Sequence, residues 1–238
     1  LYPPLADLDE IPSYRHLPEK AYVLDRRKIA ALEGKVFRKY SRNRGKTYSV
    51  ITTRGCPFSC TYCCNNFISR LYGTRKIRRR GIENIIVELE AAVAQYRHLE
   101  YINFQDDCFL ACGPDYLREF IKQYRGRIGL PFIIRAIPNY VDENKLRLLK
   151  SAGLTWISLG LQSGSDRVSR DLYRRRSTRK DFLRAAAVIN SLDLAAFYDV
   201  IVDNPFETEA DTIETVEAFM ETPKPFYPEF FSMVFYPG

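Results

Sequence analysis

Residues 82–105 read IENIIVELEAAVAQYRHLEYINFQ, and the spacing of the apolar residues in this stretch changes from that of a helix to that of a strand. From Ile82 to Tyr96 the apolar residues recur at three- and four-residue steps, which predicts an amphipathic helix with one buried face. Residues 101–105 form a short apolar run of the kind found in buried strands. An amphipathic helix that leads into a buried strand is a building block of a parallel sheet.

The same alternation continues over most of the chain. Apolar, strand-like runs occur at YSVITT (48–53), YINFQ (101–105), FIIRA (132–136), WISLGL (156–161), AFYDVIV (196–202) and FFSMVF (230–235). Helical spacing separates these runs, and it predicts further helices at 114–125, 142–152, 179–191 and 208–221. Alternating strands and helices predict parallel strands joined by right-handed crossovers. The predicted fold class is therefore α/β, a partial (β/α)6 TIM-like barrel of parallel strands with outer helices, and a flat doubly wound sheet is the alternative.

The composition is that of a globular protein. The chain has 238 residues, of which 46% are hydrophobic and 27% are charged, so it can bury one large core. No apolar run is long enough to cross a bilayer, and the opening LYPPLADLDE lacks the basic start and apolar stretch of a signal peptide. These features predict a cytoplasmic protein without a transmembrane segment, in which thiols stay reduced.

Two segments of different character are predicted. Residues 1–46 contain PP, IP and LP pairs and little periodicity, which predicts an extended linker with at most a short helix near residues 26–33. A linker implies a domain upstream of Leu1, and residues 47–238 are predicted to form the barrel. Because the chain ends at FYPG directly after the sixth apolar run, we expect the barrel to continue past its last residue.

Four of the six cysteines lie in the stretch CPFSCTYCC, residues 56–64. Cys56, Cys60 and Cys63 form a CxxxCxxC pattern directly after the first predicted strand, which is where a barrel carries its functional groups. In a reducing compartment such cysteines are metal ligands or catalytic groups rather than disulfides. Three thiolates suit a 4Fe–4S cluster with one iron left open to bind something else.

The remaining cysteines and the two histidines bear on which metal the cysteine loop could bind. Zinc usually recruits a fourth Cys or His at a characteristic spacing, and neither His16 nor His98 lies near the cysteine loop in sequence, so structural zinc is disfavoured. Cys64 is expected to be a small buried residue whose side chain points away from the metal. Cys108 and Cys112 are too few for a second cluster, and we expect them to be packing residues.

The formal net charge is +7, and runs such as RKIRRR (75–80) and YRRRSTRK (173–180) are where we expect it to concentrate. Such runs are found in nucleic-acid contacts, at helix starts and in loops, and in contacts with anionic cofactors. No interleaving of aromatic and basic residues, which is typical of RNA-binding platforms, accompanies them. We therefore expect no nucleic-acid partner.

These motifs together resemble those of the radical S-adenosylmethionine (radical SAM) enzymes. CxxxCxxC at the end of the first barrel strand is the signature of that family, and Tyr62 occupies the family's aromatic position before the last cysteine. Further stretches resemble family motifs in the same order: IRRRGIENIIVELE, QDDCF, LGLQSGSDRV, YDVIVDNPFETEAD and FYPG. The resemblance covers residues 47–238. Asp203 and Gln162 depart from the pattern, since relatives often have glycine and glutamate at these positions.

The resemblance implies a reaction and a set of iron ligands. Cys56, Cys60 and Cys63 would hold the cluster, and its open iron would bind the amino and carboxylate groups of S-adenosylmethionine (SAM). One-electron reduction would then cleave SAM and release a 5′-deoxyadenosyl radical. The backbone near Tyr62 would approach the adenine of the cofactor. In this chemistry the protein places cofactor and substrate and excludes competing reactions.

Polar residues at the ends of the second and third strands are the candidates for the amino-acid part of SAM. A carboxylate can form a charge-assisted hydrogen bond with the cationic amino group, and Asp106 is the first candidate and Asp107 the second. The cofactor's carboxylate can pair with a guanidinium group, and Arg135 is the candidate for this contact. An ion pair with an acid on a neighbouring strand is the alternative role for Arg135.

Residues at the ends of the fourth and fifth strands are candidates for the ribose. Gln162, Ser163 and Asp199 can exchange hydrogen bonds with its hydroxyl groups. For Ser163 the alternative is a role in the turn that precedes the next helix. Glu207 and Thr208 are expected to cap a helix rather than bind a ligand.

One further stretch indicates a branch of the family. LADLDEIPSY, residues 5–14, resembles the segment L-x-D-L-D-x-I/L-P that joins a B12-binding domain to the barrel in the cobalamin-dependent branch. The chain contains no DxHxxG cobalamin motif, so cobalamin would be bound mainly by a domain outside this chain. The resemblance implies a 4Fe–4S cluster, SAM and cobalamin as cofactors, and a reductant such as flavodoxin or ferredoxin as partner.

The reaction implied by this branch is methylation of a small-molecule, lipid or peptide substrate. Two alternatives stay open. One is a radical SAM enzyme without cobalamin that acts on RNA, as a methylthiotransferase or an oxidoreductase. The other is a non-catalytic iron–sulfur or zinc module.

Overall fold

Six strands form one parallel sheet. The computed structural model describes residues 3–11 and 21–235, and its sheet strands are β1 (Thr47–Val50), β2 (Tyr101–Phe104), β3 (Phe132–Ala136), β4 (Leu154–Gln162), β5 (Ala195–Val202) and β6 (Tyr227–Ser232). They lie side by side in chain order, and every neighbouring pair is parallel. The sheet curls into a half-barrel, which confirms the predicted partial TIM-like barrel. A doubly wound sheet requires a reversal of strand order, and no reversal occurs among these six strands.

Helices surround the sheet. They are α1 (Gly34–Tyr40), α2 (Cys64–Tyr72), α3 (Ile82–Gln95), α4 (Pro114–Arg127), α5 (Glu143–Ser151), α6 (Arg179–Ser191) and α7 (Glu209–Glu221). Short helical turns lie at Arg42–Gly45, Pro138–Tyr140 and Val168–Leu172. The five helices predicted from apolar spacing are present and end within two residues of the predicted positions. Helix α2, which begins in the cysteine loop, has no counterpart in the prediction.

An aromatic cluster packs β2 against α4. Phe104 is fully buried, and its ring centre lies 5.1 to 6.1 Å from those of Phe109, Phe120, Tyr124 and Phe132. Tilted and edge-to-face pairs of this kind each add about 1 kcal/mol beyond the area that they bury. The cluster holds the carboxyl end of β2 in place, and candidate site residues follow directly after that end.

Residues 22–31 form an antiparallel hairpin where the sequence predicts at most a short helix. Tyr22–Asp25 pairs with Lys28–Ala31. Arg26 and Arg27 connect the two strands with φ values of 45° and 69°. Two consecutive residues with positive φ form a turn whose twist matches that of a hairpin, and a helix cannot contain them. The helix prediction is wrong for this reason, whereas the linker role of the segment stays a prediction.

The first and last strands differ from the predicted runs. β1 ends at Val50, and Thr53–Arg54 forms a separate two-residue strand with Arg78–Arg79. β6 begins three residues before the predicted run, and all of its side chains are exposed. Its position follows from backbone pairing, in which Tyr227 lies beside Phe197 of β5. Burial periodicity carries no information about a strand that is exposed on both faces.

Gly164 lies where the loop after β4 meets α7, and it has no room for a side chain. A Cβ atom at Gly164 would lie 2.4 Å from the Cα of Thr215 and 2.5 Å from the carbonyl oxygen of Glu214. Both are backbone atoms, so the helix itself has to move. We expect Gly164→Ala to lower the free energy of unfolding by about 2 kcal/mol in urea denaturation. Gly126→Ala is the control, because a Cβ there meets no atom within 4 Å; an equal loss in the control would contradict the prediction.

Candidate functional site

The cysteine loop follows β1 at the carboxyl edge of the sheet. Gly55 enters the loop with a φ of 101°, and a Cβ atom there would lie 2.6 Å from the carbonyl oxygen of Lys76. Cys56 is buried, Cys60 is half-buried, and Cys63 is the half-buried residue that precedes α2. The backbone N–H of Cys63 donates to the carbonyl of Cys60 at 3.2 Å, so the second and third thiols lie on one tight turn.

The thiols of this loop affect one another's ionisation electrostatically. Burial raises the pKa of the Cys60 thiol and raises that of Cys63 to about 11. The Sγ atoms of Cys56 and Cys108 lie 3.8 Å apart, and the hydrogen bond between them lowers the pKa of Cys56. Negative charge on Cys56 disfavours ionisation of Cys60. Such thiols become stable thiolates when a bound metal shares their charge, so this donor set fits a metal cluster.

The donors suit a cluster better than a single ion. Among residues 3–11 and 21–235, no three His, Cys, Asp or Glu side chains converge as the ligands of one metal ion do. A cubane 4Fe–4S cluster places each thiolate on a different iron, so its ligands are spread more widely. His98 precedes β2 at the opposite edge of the sheet, and His16 lies outside the described residues. The loop therefore offers sulfur donors alone.

Asp106 follows β2 and ties it to the chain that leaves β1. Its carboxylate accepts hydrogen bonds from the backbone N–H groups of Thr52 and Thr53 at 2.7 and 2.5 Å. The two threonine hydroxyl groups donate to it at 2.9 and 2.7 Å. Asp106 is 0% exposed, and burial raises the pKa of its carboxyl although the four donors oppose the shift. Its role as partner of the cofactor's amino group stays a prediction, but both carboxylate oxygens are already engaged.

Asp107, the second candidate for that role, is exposed and faces the cysteine loop. Its negative charge disfavours ionisation of Cys56, Cys63 and Cys108. The carboxylate also lines a small cavity of about 120 Å³ beside the loop. Asp107 is therefore better placed than Asp106 to bind a cation beside the cysteine loop.

Arg135, Ser158 and Asp199 lie on three neighbouring strands and face the concave side of the half-barrel. The alternate residues of these strands, such as Ile157, are fully buried under the helices. The hydroxyl of Ser158 donates to Asp199 at 3.0 Å. Burial raises the pKa of Asp199 to about 6; the positive charge of Arg135 opposes this shift, and Glu229 on β6 adds to it. The predicted ribose partner thus belongs to a polar cluster that spans four strands.

The raised pKa of Asp199 predicts a pH dependence of stability. The folded chain keeps a proton on this carboxyl up to about pH 6, whereas the unfolded chain loses it near the ordinary value of 3.8. Stability is therefore lost as the pH rises through this window and stays constant above it. We expect Asp199→Asn to remove this loss and to gain up to about 2 kcal/mol over the parent chain at pH 7. Urea denaturation between pH 4 and 7 measures the free energy of unfolding of both chains. If that free energy fell with pH as steeply in Asp199→Asn as in the parent chain, the assignment of the pH dependence to Asp199 would be contradicted.

The end of β4 has a glycine that makes room for Gln162. The backbone of Gln162 has a φ of 69°. A Cβ atom at Gly160 would lie 2.4 Å from the side-chain nitrogen of Gln162, so a larger residue at position 160 would collide with this side chain. Ser163 is buried, and its hydroxyl accepts a hydrogen bond from the N–H of Ser165 at 3.2 Å. Gln162 can reach the edge of the site, whereas the Ser163 side chain stabilises the turn. Both ribose assignments stay predictions.

Thr208 is the N-cap of α7, as predicted. Its N–H donates to the carboxylate of Asp211 at 2.8 Å, and its hydroxyl accepts from the N–H of Asp211. Glu207 does not cap the helix, so that part of the expectation is wrong. Its Oε1 atom is buried without a hydrogen-bond partner in the described part of the chain. Burial raises the pKa of this carboxyl, and an interaction with the hydroxyl of Ser163 opposes the shift. Glu207 therefore offers a free acceptor beside the turn after β4.

Arg175 is a candidate that the sequence analysis missed. Its guanidinium group donates to the carbonyl oxygens of Gly160 and Leu161 at 2.6 and 2.7 Å, and the residue is only 8% exposed. Its positive charge favours ionisation of Cys60. The run 173–180 gives no signal that singles out this arginine, because only burial distinguishes it from the exposed arginines on either side.

A cavity of about 500 Å³ opens beside the cysteine loop. Tyr62 lies on its wall, and its ring meets that of Tyr173 edge to face with centres 4.9 Å apart. The wall also contains residues from α2, from the loop after β5 and from the chain after β6: Cys63, Cys64, Arg70, Asn204, Phe206 and Phe235. Cys64 is exposed here, so the expectation that it is buried is wrong. The volume lies in the range typical of small-molecule and cofactor sites.

The fold and this site together define a class of protein. A parallel half-barrel with a triad of thiols and polar groups at its carboxyl edge is the arrangement of an enzyme that holds an iron–sulfur cluster. The profile of the radical SAM superfamily matches residues 50–219. The chain belongs to the radical SAM superfamily.

Two curated proteins similar to this chain have names that refer to a methylthio group. A putative methylthiotransferase of Methanocaldococcus jannaschii is 26% identical over 192 residues, which is 75% of this chain and 40% of that protein. A tRNA-2-methylthio-N(6)-dimethylallyladenosine synthase of Nocardioides sp. is 30% identical over 215 residues, 84% of this chain and 42% of that protein. The chain thus spans about two fifths of the length of these curated relatives.

A solved structure shares the fold. The radical SAM methyltransferase TsrM of Kitasatospora setae, with cobalamin and an iron–sulfur cluster bound, gives a TM-score of 0.64 at 19% identity. The match covers 79% of this chain and 34% of that chain. Within the described ranges, the chain has no helix with the length and apolar character of a membrane span. Residues 236–238 of the FYPG motif lie outside the described residues.

Proposed function

We propose that this chain is the catalytic half-barrel of a cobalamin-dependent radical SAM methyltransferase. Membership of the superfamily implies a 4Fe–4S cluster and cleavage of SAM. The observation that supports the cobalamin branch is the segment LADLDEI, residues 5–11, which resembles that branch's linker and packs on the barrel; positions 12–14 of the motif lie outside the described residues. The fold likeness to TsrM adds to this support.

The contacts of this segment are specific. Leu8 is only 3% exposed, and the carboxylate of Asp9 accepts the N–H of Gly81 with both oxygens at 2.8 and 3.0 Å. Gly81 is the N-cap of α3, so Asp9 satisfies a donor at a helix start. Arg78, in the strand that pairs with the entry to the cysteine loop, donates to the carbonyl of Leu5. A domain attached to this segment would therefore lie on the side of the barrel that carries the cysteine loop.

The chain's own residues have distinct tasks in this proposal. Cys56, Cys60 and Cys63 would hold three irons of the cluster, and Tyr62 would form the wall against which the adenine packs. When bound, the reduced cluster and SAM supply a 5′-deoxyadenosyl radical that takes a hydrogen atom from a substrate carbon. The exposed thiol of Cys64 faces the cavity and takes no part in iron binding.

Charged residues would bind the amino-acid part of SAM. Asp107 would receive the ammonium group, because its carboxylate is exposed beside the cysteine loop, whereas that of Asp106 is engaged. Arg135 and Arg175 are the guanidinium donors available for the carboxylate. Arg175 has the advantage that it is already fixed by two backbone carbonyls close to Cys60.

Polar residues at the ends of β4 and β5 would bind the ribose. Gln162 and Asp199 would hydrogen-bond its hydroxyl groups, and the free Oε1 of Glu207 is a further acceptor. Ser163 would contribute through the turn that it stabilises. The proposed electron donor is a protein such as flavodoxin or ferredoxin. The proposed substrate is a small molecule, a lipid or a peptide, and the proposed location is the cytoplasm.

The experiment is anaerobic reconstitution of the native polypeptide with iron, sulfide and hydroxocobalamin. We expect a corrinoid absorbance that co-elutes with the protein, and 5′-deoxyadenosine when dithionite and SAM are added. Cluster formation and SAM cleavage without retained corrinoid would overturn the cobalamin assignment and leave the family assignment intact. Stoichiometric zinc with little iron would contradict both.

A second candidate is a radical SAM enzyme that acts on RNA without cobalamin. Its support is the 30% identity to the tRNA-2-methylthio-N(6)-dimethylallyladenosine synthase. The same reconstitution separates the two candidates, because only the first retains corrinoid. A non-catalytic module has less support, since polar side chains also surround the cysteine loop.

A further inference from the structure

One short region of this protein carries a net charge equal to that of the whole chain. Residues 25–46, here called the basic unit, contain nine Lys and Arg and only two Asp and Glu, which gives a net charge of +7. Subtracting these from the 36 basic and 29 acidic residues of the chain leaves 27 of each sign. The rest of the chain is therefore neutral. The runs at 75–80 and 173–180 are basic, but acidic residues elsewhere in the remaining chain offset their charge.

Part of the basic unit lines an open cleft of about 570 Å³, here called the basic cleft. All six of its lining residues are basic: Lys35, Arg38, Lys39, Arg44, Lys46 and His98. Helix α1 supplies three of them, the turn before β1 supplies two, and the loop before β2 supplies the histidine. The basic cleft thus lies at the amino edge of the sheet, opposite the cysteine loop.

Only part of this charge is neutralised within the protein. Lys39 pairs with Asp25, and Lys46 pairs with Glu100 at 2.5 Å. The remaining lysine and arginines of the cleft form no salt bridge with a described carboxylate: Lys35, Arg38 and Arg44. Cations that converge on one cleft repel each other, and a bound anion relieves this repulsion.

We propose that the basic cleft binds the phosphate backbone of a nucleic acid. Its lysines and arginines come from two chain segments along an open groove, α1 and the turn before β1, so they can meet successive phosphate groups. No Phe, Tyr or Trp lines the cleft, so it offers little surface for base stacking and would bind without reading sequence. The inference rests on the placement of charge and is independent of the reaction proposed above.

An anionic membrane surface is the competing ligand. The hairpin exposes Tyr22, Leu24 and Ile29, and membrane-surface binding combines such apolar groups with cations. These three side chains do not line the basic cleft. The walls of the cleft are wholly basic, which favours a nucleic acid.

The test is fluorescence anisotropy with labelled single-stranded RNA of about 20 nucleotides, and with DNA of the same sequence, titrated with the cluster-loaded chain. We expect binding at about 50 mM salt that weakens steeply as salt rises. The triple variant Lys35→Ala/Arg38→Ala/Arg44→Ala should bind about 10- to 100-fold more weakly. Its plot of log affinity against log salt should lose about two units of slope, because each lost phosphate contact removes about 0.7.

The control variant removes the same charge elsewhere: Lys122→Ala/Arg125→Ala/Lys180→Ala, three exposed positions on α4 and α6. It should keep the affinity within about twofold, as expected for cations outside the contact. An equal loss in the control, or no binding by the parent chain at low salt, would overturn the proposal. If the triple variant of the cleft lost binding to phosphatidylglycerol vesicles but bound RNA and DNA as the parent chain does, the cleft would be assigned to a membrane instead.

Discussion

Replacing Cys56, Cys60 or Cys63 with alanine is expected to abolish both cluster assembly and SAM cleavage. The three thiols share one loop at the carboxyl edge of the sheet, and two remaining thiolates cannot hold a cubane with only one open iron. After anaerobic reconstitution, iron should fall from about four atoms per chain to near zero. Chromatography of 5′-deoxyadenosine formed with dithionite should find none above background.

The neighbouring cysteines are the matched controls. Cys64 is exposed at the wall of the 500 Å³ cavity, so Cys64→Ala should keep the iron content and SAM cleavage of the parent chain. Cys112→Ala should do the same. Loss of the cluster in Cys64→Ala would show that the ligand set is wrong. Retention of a full cluster in any of the three ligand variants would have the same meaning.

Asp106→Ala is expected to destabilise the fold by about 4 kcal/mol, because it leaves four buried donors of Thr52 and Thr53 without an acceptor. The connection between the end of β1 and β2 depends on this carboxylate. In a chain of this length such a loss lowers the unfolding midpoint by roughly 10 °C, which thermal unfolding measures. Asp106→Asn, which keeps one acceptor oxygen, should lose less.

Asp107→Ala separates the structural role from the cofactor role. Because Asp107 is exposed, its replacement should change the free energy of unfolding by less than about 0.5 kcal/mol. If Asp107 binds the ammonium group of SAM, the same variant should bind SAM about tenfold more weakly, as expected for one charge-assisted hydrogen bond. Unchanged stability together with lost SAM binding in Asp106→Ala would restore Asp106 as the cofactor's partner.

Local patterns in the sequence were sufficient for the fold class. The apolar spacing from Ile82 to Tyr96 reports which side of one helix is buried, and Ile85, Ile86 and Leu89 are indeed fully buried. The same reasoning failed where burial is absent. β6 is exposed along its whole length, so its start at Tyr227 follows from pairing with β5 and left no periodic signal.

The cysteine loop was predictable for a similar reason. The predicted ligand set depends only on the spacing of Cys56, Cys60 and Cys63, because a short loop brings its own residues together. The individual roles of the two adjacent aspartates were not predictable. Asp106 and Asp107 are neighbours of the same type, and only the fold shows that Thr52 and Thr53 enclose the first and leave the second exposed.

By itself the sequence determined the alternation of strands and helices, the thiol triad and the family, since each of these depends on residues close together in the chain. The tertiary structure alone decided which carboxylate is free, that Arg175 is buried beside Cys60, and that basic side chains from three segments share one cleft. These properties depend on contacts between residues far apart in sequence. The electrostatic environment of a side chain is set by such contacts, and no local pattern encodes them.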